Sequence, residues 1–350
     1  MFSHIDYWDI KKDSKNTKYP KKILDMRKEQ QKYKYPDTNT TLNKFRTLQN
    51  SPSNIITPKS FCDNIIVLFK DVKNIKITIL TPKELKQNNL NLILSVDNLT
   101  SRMLIVEYKG KSNKKMDLGI VGKGVTFDSG GYSLKPNNAM INMHLDKTGG
   151  VMALYLLHNL AEKKVKKNII VCVPLVQNSI SHMATKPGDI ITAYNKLQVE
   201  ITNTDAEGRL IVADGLSYIV DKYKPTLLID MGTFTGIDKC KISYAYFTLS
   251  KEICNLLTQS AEFYGEKLLK LQIEKEYLVY TKSVRGDIKN AEYGCSDKLL
   301  VPIFLLNFIP KNYYGRWIHL NLSDLSTSKV AILEGSYSIL SFIKKYFKLQ

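Results

Sequence analysis

The chain has 350 residues, 43% hydrophobic and 24% charged, with a formal net charge of +18. That length suits one large α/β domain with an extension, or two modest domains, and no run approaches the roughly 18 apolar residues of a membrane helix. The charge excess is Lys rather than Arg and is spread along the chain, so it is read as solvated surface, and nucleic acid is not an expected partner. Residues 1–12 mix Asp6, Asp9, Lys11 and Lys12 with aromatics and hold no apolar stretch before a small-residue cleavage site. A secretory leader is therefore not expected, and a cytoplasmic location is. The five cysteines (Cys62, Cys172, Cys240, Cys254, Cys295) form no CxxC pair and are read as reduced thiols, Cys172 as a core position.

Taken in chain order, residues 1–45 are Lys-rich and read as an arm, with Pro20, Pro36, Pro52 and Pro58 punctuating the stretch. Order is expected from about Phe61, with core elements over 64–69 and 75–80. Strands are expected over 103–108, 118–127, 168–176 and 226–231. Between them, 149–163 and 210–223 carry helical periodicity, as in Val151, Leu154, Leu157, Leu160 and in Ile211, Leu216, Ile219, Val220. Strands alternating with such helices imply a mixed, largely parallel α/β sheet flanked by helices, in which function collects beyond the carboxyl ends of the strands.

Three places break this pattern. In Val121-Gly-Lys-Gly-Val-Thr-Phe-Asp-Ser-Gly-Gly131 an apolar strand is interrupted by Lys123 and ends on Asp128. Lys123 could face solvent from an edge strand, and Asp128 with its glycines could be a tight turn. Asp146, just before the first helix, could be an N-cap or a ligand held at the mouth of the sheet. Asp205 and Glu207, in Asn203-Thr-Asp-Ala-Glu-Gly-Arg209, could be first-turn acids that complement a helix dipole, or two ligands projecting the same way from an extended segment.

Together, four carboxylates near strand ends make an oxygen-rich site suited to hard or borderline divalent ions such as Mg²⁺, Mn²⁺ or Zn²⁺. Two bridged ions would polarise a carbonyl and lower the pKa of a water. One nearby lysine would then serve as a neutral ligand, and another, Lys135 after the glycine turn, would stay protonated to stabilise an oxyanion.

These motifs resemble the leucyl aminopeptidases, the cytosolic two-metal exopeptidases, whose signature heptad stands entire at Asn203–Arg209, with matching stretches at 121–135, at Asp146 with Gly149-Gly150, and at Lys186-Pro-Gly-Asp189. The resemblance implies that Lys123 and Asp146 hold an exchangeable metal, that Asp205 holds a tighter one, and that Asp128 and Glu207 bridge the two. Lys135 would stabilise the gem-diolate, and Arg209 would hold a bicarbonate or a water that shuttles the proton. It implies two divalent cations per subunit (Zn²⁺ or Mn²⁺, with Mg²⁺ a further candidate), short peptide substrates, and a homo-oligomer, in the family a hexamer. The catalytic domain would span 46–350, with the basic arm standing in place of the family's N-terminal domain. The alternative function is a catalytically silent member with a structural or nucleic-acid-binding role. Asn321, Ser323-Asp324, Gly232 and Phe234 depart from the usual residues beside the side-chain pocket; either Asp324 points away into solvent, or Ser323, Asp324 and Ser326 line the pocket and favour polar or basic first residues over leucine.

Overall fold

The apolar run around Cys172 becomes the spine of the sheet. The structure is a computed structural model that describes residues 40–236, 242–292, 296–322 and 336–349. It opens with helices α1 (Thr40–Asn50) and α2 (Pro58–Phe69), edge strand β1 (Ile75–Leu80), short helices α3 (Pro82–Gln87) and α4 (Asn91–Val96), then β2 (Arg102–Lys109). Next come β3 (Leu118–Gly122), β4 (Gly124–Asp128), a single turn α5 (Asn137–Met140), α6 (Thr148–Glu162) and β5 (Asn168–Asn178). A small hairpin, β6 (Ile190–Thr192) and β7 (Gln198–Glu200), precedes α7 (Glu207–Tyr223) and β8 (Leu227–Gly232). The chain continues through β9 (Tyr244–Phe247), α8 (Lys251–Phe263), β10 (Leu268–Lys270), β11 (Ile288–Lys289), α9 (Asp297–Leu306), β12 (Trp317–Asn321) and α10 (Ser336–Phe347).

Nine described strands form one sheet in the order β1-β2-β5-β3-β8-β12-β9-β10, with β4 also on β5, and β11-β7-β6 form a separate small sheet. The centre is parallel (β5 with β3, β3 with β8, β8 with β12) and the flanks include antiparallel pairs. This is the mixed, largely parallel architecture expected. Along β5, Ile169, Val171, Val173 and Leu175 join one core while Ile170, Cys172 and Val176 join the other, as period-2 alternation between two covered faces requires. Residues of α1, α2, α6, α8 and α10 build the first layer, and those of α4, α7 and α9 build the second.

Two boundaries differ from expectation. Packed structure is already present well before Phe61: α1 buries Leu42, Phe45 and Leu48, and Gln49 Nε2 donates to Thr148 Oγ1 at 2.7 Å. Three apolar residues at helical spacing were masked by the polar stretch before them. The single strand expected over 118–127 is two, because at Lys123 the backbone N–H pairs with Met231 O and the carbonyl accepts from Gly150. The rest of the expected arm, 1–39, lies outside the described residues, as do Ser323, Asp324, Ser326, Cys240 and Cys295. Cys62, Cys172 and Cys254 are free thiols. No helix among the described residues is long and apolar enough to cross a membrane.

One buried carboxylate ties the second layer together. Asp214, inside α7, accepts N–H groups from Leu92 (2.8 Å) and Ile93 (3.4 Å) at the start of α4 and from Tyr194 (2.9 Å) beside β6. Asp214→Ala would orphan these donors in a dry interior, each at about 1–3 kcal/mol. A loss of about 3 kcal/mol is expected in urea unfolding, with Asp214→Asn intermediate because its amide nitrogen cannot accept.

Candidate metal centre

Because the central strands run parallel, their carboxyl ends share one edge of the sheet, and it is there that the anomalous residues meet. Lys123 follows β3, Asp128 ends β4, Asn178 ends β5 and Thr233 follows β8. The amino ends of α6 and α7 reach the same edge, bringing Asp146, Asp205 and Glu207. Neither helix takes a side-chain cap, so the capping alternative for Asp146 fails; Glu207 does stand in the first turn of α7, as the dipole alternative has it, and also faces the other carboxylates. Lys123 is 3% exposed, which removes the edge-strand alternative.

The charges form one network. Lys123 Nζ lies 2.8 Å from Asp146 Oδ2 and 2.9 Å from Glu207 Oε1, and donates to Thr233 O at 2.5 Å. Lys135 Nζ lies 2.8 Å from Asp128 Oδ2 and 2.5 Å from Asp205 Oδ1. Asp128 Oδ1 accepts from Asn178 Nδ2 (2.8 Å) and Gly130 N (2.9 Å), and Asp146 Oδ1 accepts from Thr233 Oγ1 (2.5 Å). Four carboxylates therefore face two ammonium groups, an excess of negative charge in a mostly buried place. Asp128, Asp146 and Glu207 each offer an oxygen within 4.8 Å of the others, and among the described residues Glu207 Oε2 is buried with neither hydrogen bond nor ion pair. Hard oxygen donors so grouped, one of them unsatisfied, fit a divalent cation.

The titration of these groups reports the same imbalance. Burial, joined by the charges of Glu207 and Asp128, pushes Asp146 up to about 8 despite Lys123. Burial, with Asp128 and Glu207, pushes Asp205 up to about 7. Burial and Asp128 raise Glu207 as well. Burial alone would lower the two lysines, but the surrounding carboxylates, led by Asp146 for Lys123 and by Asp128 for Lys135, hold both above the ordinary value.

Glycines make room for this packing. A Cβ on Gly208 would sit 2.5 Å from Lys123 Cε and 2.6 Å from Nζ, and one on Gly232 would sit 2.6 Å from Lys123 Cβ and 3.0 Å from the Phe234 ring. Phe234 thus folds over Gly232, with Lys123 Nζ 5.7 Å from its centroid and the His319 ring at 5.1 Å. Beneath it, Asp230 accepts from His319 Nδ1 (2.7 Å) and Trp317 Nε1 (2.8 Å), all three fully buried.

Six of the seven residues singled out from sequence are brought together. Arg209 is turned elsewhere: Nη1 donates to Asn290 O at 2.7 Å and Nη2 to Asp297 Oδ1 at 2.5 Å, and no ion pair joins it to the four carboxylates among the described residues. Sequence reasoning missed Asn178 and Thr233, although a polar residue closing an apolar strand at the sheet's carboxyl end is a signal for the first.

A parallel-centred α/β sheet with buried carboxylates converging at its carboxyl edge is an arrangement whose oxygen donors fit a divalent cation. The family model of the cytosol aminopeptidase family, catalytic domain, matches residues 43–335, and the chain belongs to that family. It is 34% identical over 258 residues to a probable cytosol aminopeptidase of Clostridium tetani, covering 71% of this chain and 53% of the relative. It is 31% identical over 316 residues to the cytosol aminopeptidase of Rickettsia prowazekii, covering 86% of this chain and 63% of the relative. The chain thus spans between half and two thirds of the length of these curated relatives. Among solved structures, the cytosol aminopeptidase from Coxiella burnetii superposes with a TM-score of 0.81 at 24% identity, over 87% of this chain and 68% of that one. The bottromycin maturation enzyme BotP in complex with Mn superposes at 0.79 and 23%, over 87% and 70%. At these identities the structures attest the shared fold.

Two outcomes follow from the geometry. Protons and cations compete for Asp146 and Asp205, so cation binding to metal-free protein should release protons and tighten as the pH rises through about 7 to 8. Raised carboxylate pKa values also mean that their stabilisation of the metal-free fold, complete below the ordinary carboxylate range, is lost as the pH climbs through those values. Titration calorimetry in buffers of different ionisation heat measures the first, and scanning calorimetry the second. Separately, Gly208→Ala should push the end of Lys123 off Asp146 and Glu207, lowering both retained metal and the melting temperature of the metal-free protein.

Proposed function

We propose that this chain is a metal-dependent aminopeptidase that hydrolyses the N-terminal peptide bond of short peptides. The observation that carries the reading is Glu207 Oε2, buried and without a partner among the described residues, set among carboxylates that outnumber their lysines, with Lys135 held by Asp128 and Asp205 apart from the Lys123 pair. Two divalent cations bound there, Zn²⁺ or Mn²⁺ with Mg²⁺ as a further candidate, would polarise the scissile carbonyl and lower the pKa of a water.

The chain's own groups divide the remaining work. Lys123 and Asp146, already in contact, form one ligand pair, for which Lys123 must shed its proton. Asp205, paired with Lys135, would hold the second cation, and Asp128 and Glu207 would supply oxygens to both. Asn178 and Thr233 orient Asp128 and Asp146 through hydrogen bonds, as groups behind a ligand do. Lys135, protonated and half-surrounded by Asp128 and Asp205, is positioned to donate to the oxyanion of the tetrahedral intermediate. A bicarbonate at Arg209, which the resemblance implies, would take the place of the Asp297 carboxylate on Nη2.

The same reading includes a cytosolic location, as the names of the relatives have it, and a homo-oligomer. Exposed Leu278, Val279 and Val284, the last 100% exposed, offer apolar surface for such assembly, which light scattering measures.

Aminoacyl-coumarin substrates assayed after chelation and after return of Mn²⁺ or Zn²⁺ test the proposal: activity should vanish and recover. Asp205→Asn and Glu207→Gln should each abolish turnover and lower metal content by elemental analysis. Lys135→Ala should keep its metal and lose about 10²–10³ in turnover, the scale of one lost oxyanion donor. Full turnover with two metals retained in both acidic variants would sink the proposed site.

A further inference from the structure

α7 carries Glu207 at its amino end, and at its other end the surface opens into a cleft of about 1070 Å³. Seventeen helical residues put about 25 Å between the two places. Four cations line the cleft, Lys196, Lys222, Lys224 and Arg316, against the single carboxylate of Asp221. That carboxylate is already engaged, accepting from Tyr194 Oη at 2.7 Å with Lys222 at 3.2 Å. Arg316 is fixed as a plate, its Cζ 3.9 Å from the Tyr313 ring centroid and its Nε donating to Asn312 O at 3.0 Å. Val220, Ile309 and Pro310 give the same cleft an apolar portion.

Lysines near a helix carboxyl end ordinarily complement its dipole. That accounts for Lys222 and Lys224 but not for Lys196, from the β6–β7 turn, or Arg316, from the segment entering β12. Moreover, Lys196 (φ +77°) and Lys224 (φ +48°) hold left-handed backbone, where a side chain costs stability and glycine would be relaxed. Lys164 and Lys348 hold it too, just after α6 and α10 and outside the cleft, so left-handed backbone alone does not mark the cleft.

We propose that this cleft binds a small phosphate ester, an anion joined to an organic group. Four cations lining one cleft, whose one lining carboxylate is already paired with Lys222, suit a phosphate. The apolar portion and a volume in the range of small-molecule sites call for more than a free phosphate ion. The inference is independent of the peptidase reading, since none of these residues belongs to the metal centre.

AMP and ribose 5-phosphate are the probes, titrated calorimetrically into the full chain at low salt, with inorganic phosphate as a separate arm. Saturable binding of at least one ester is expected, at least tenfold tighter than phosphate. Lys196→Gly, Lys224→Gly and Arg316→Gln should each weaken it about tenfold, while the two glycine variants raise the melting temperature. Lys164→Gly relaxes a lysine at φ +51° just after α6, outside the cleft, and should raise the melting temperature without changing affinity. The proposal is overturned if neither ester binds, if phosphate binds as tightly, if binding survives the three cleft substitutions, or if Lys164→Gly weakens it equally.

Discussion

Excess negative charge in a confined, mostly dry space is the constraint on which the rest of this molecule depends. Asp128, Asp146, Asp205 and Glu207 cannot all ionise beside two ammonium groups without a further cation or bound protons. The fold tolerates that because the acids sit where compensating dipoles converge, at the amino ends of α6 and α7 and beyond the parallel strands. No single element holds more than a part of the cluster. A change in how β3, β4 and β8 register against one another would therefore disperse it.

Much of this was legible in the chain. After Asn168 the run to Val176 has no polar residue until Gln177, which marks a strand buried on both faces, and β5 is such a strand. The two amphipathic helices fall within a few residues of their expected limits because their periodicity is sustained over several turns. What local pattern could not show was long-range. Whether Asp146 caps a helix or faces the site depends on Thr233, which approaches from a distant strand. Lys123 looked like an interruption because its role is set by Gly150, Met231 and Glu207, none of them near it in sequence. The heptad placed Arg209 with the catalytic acids, yet on a helix two positions from Glu207 it projects toward another side and meets Asp297. Spacing fixed its element but not its direction.

The site is also supported from below. Asp230, fully buried, receives both Trp317 Nε1 and His319 Nδ1 from the neighbouring strand, and His319 stacks against Phe234. Phe234 in turn lies against Lys123, and Asn321 holds the loop above through Phe234 N and Thr235 O. The departures at Gly232, Phe234 and Asn321 are thus one coupled packing solution: the ring occupies the space that a side chain at 232 would need.

The same logic changes what the signature heptad is. Gly208 has no catalytic atom to offer; it is a mould of the Lys123 side chain that passes within contact distance of it. A motif that reads as a linear word is in part the negative impression of a residue elsewhere in the chain. Transplanting the heptad into another scaffold would carry an empty groove with it, and a designer would do better to copy the fit between groove and lysine than the letters.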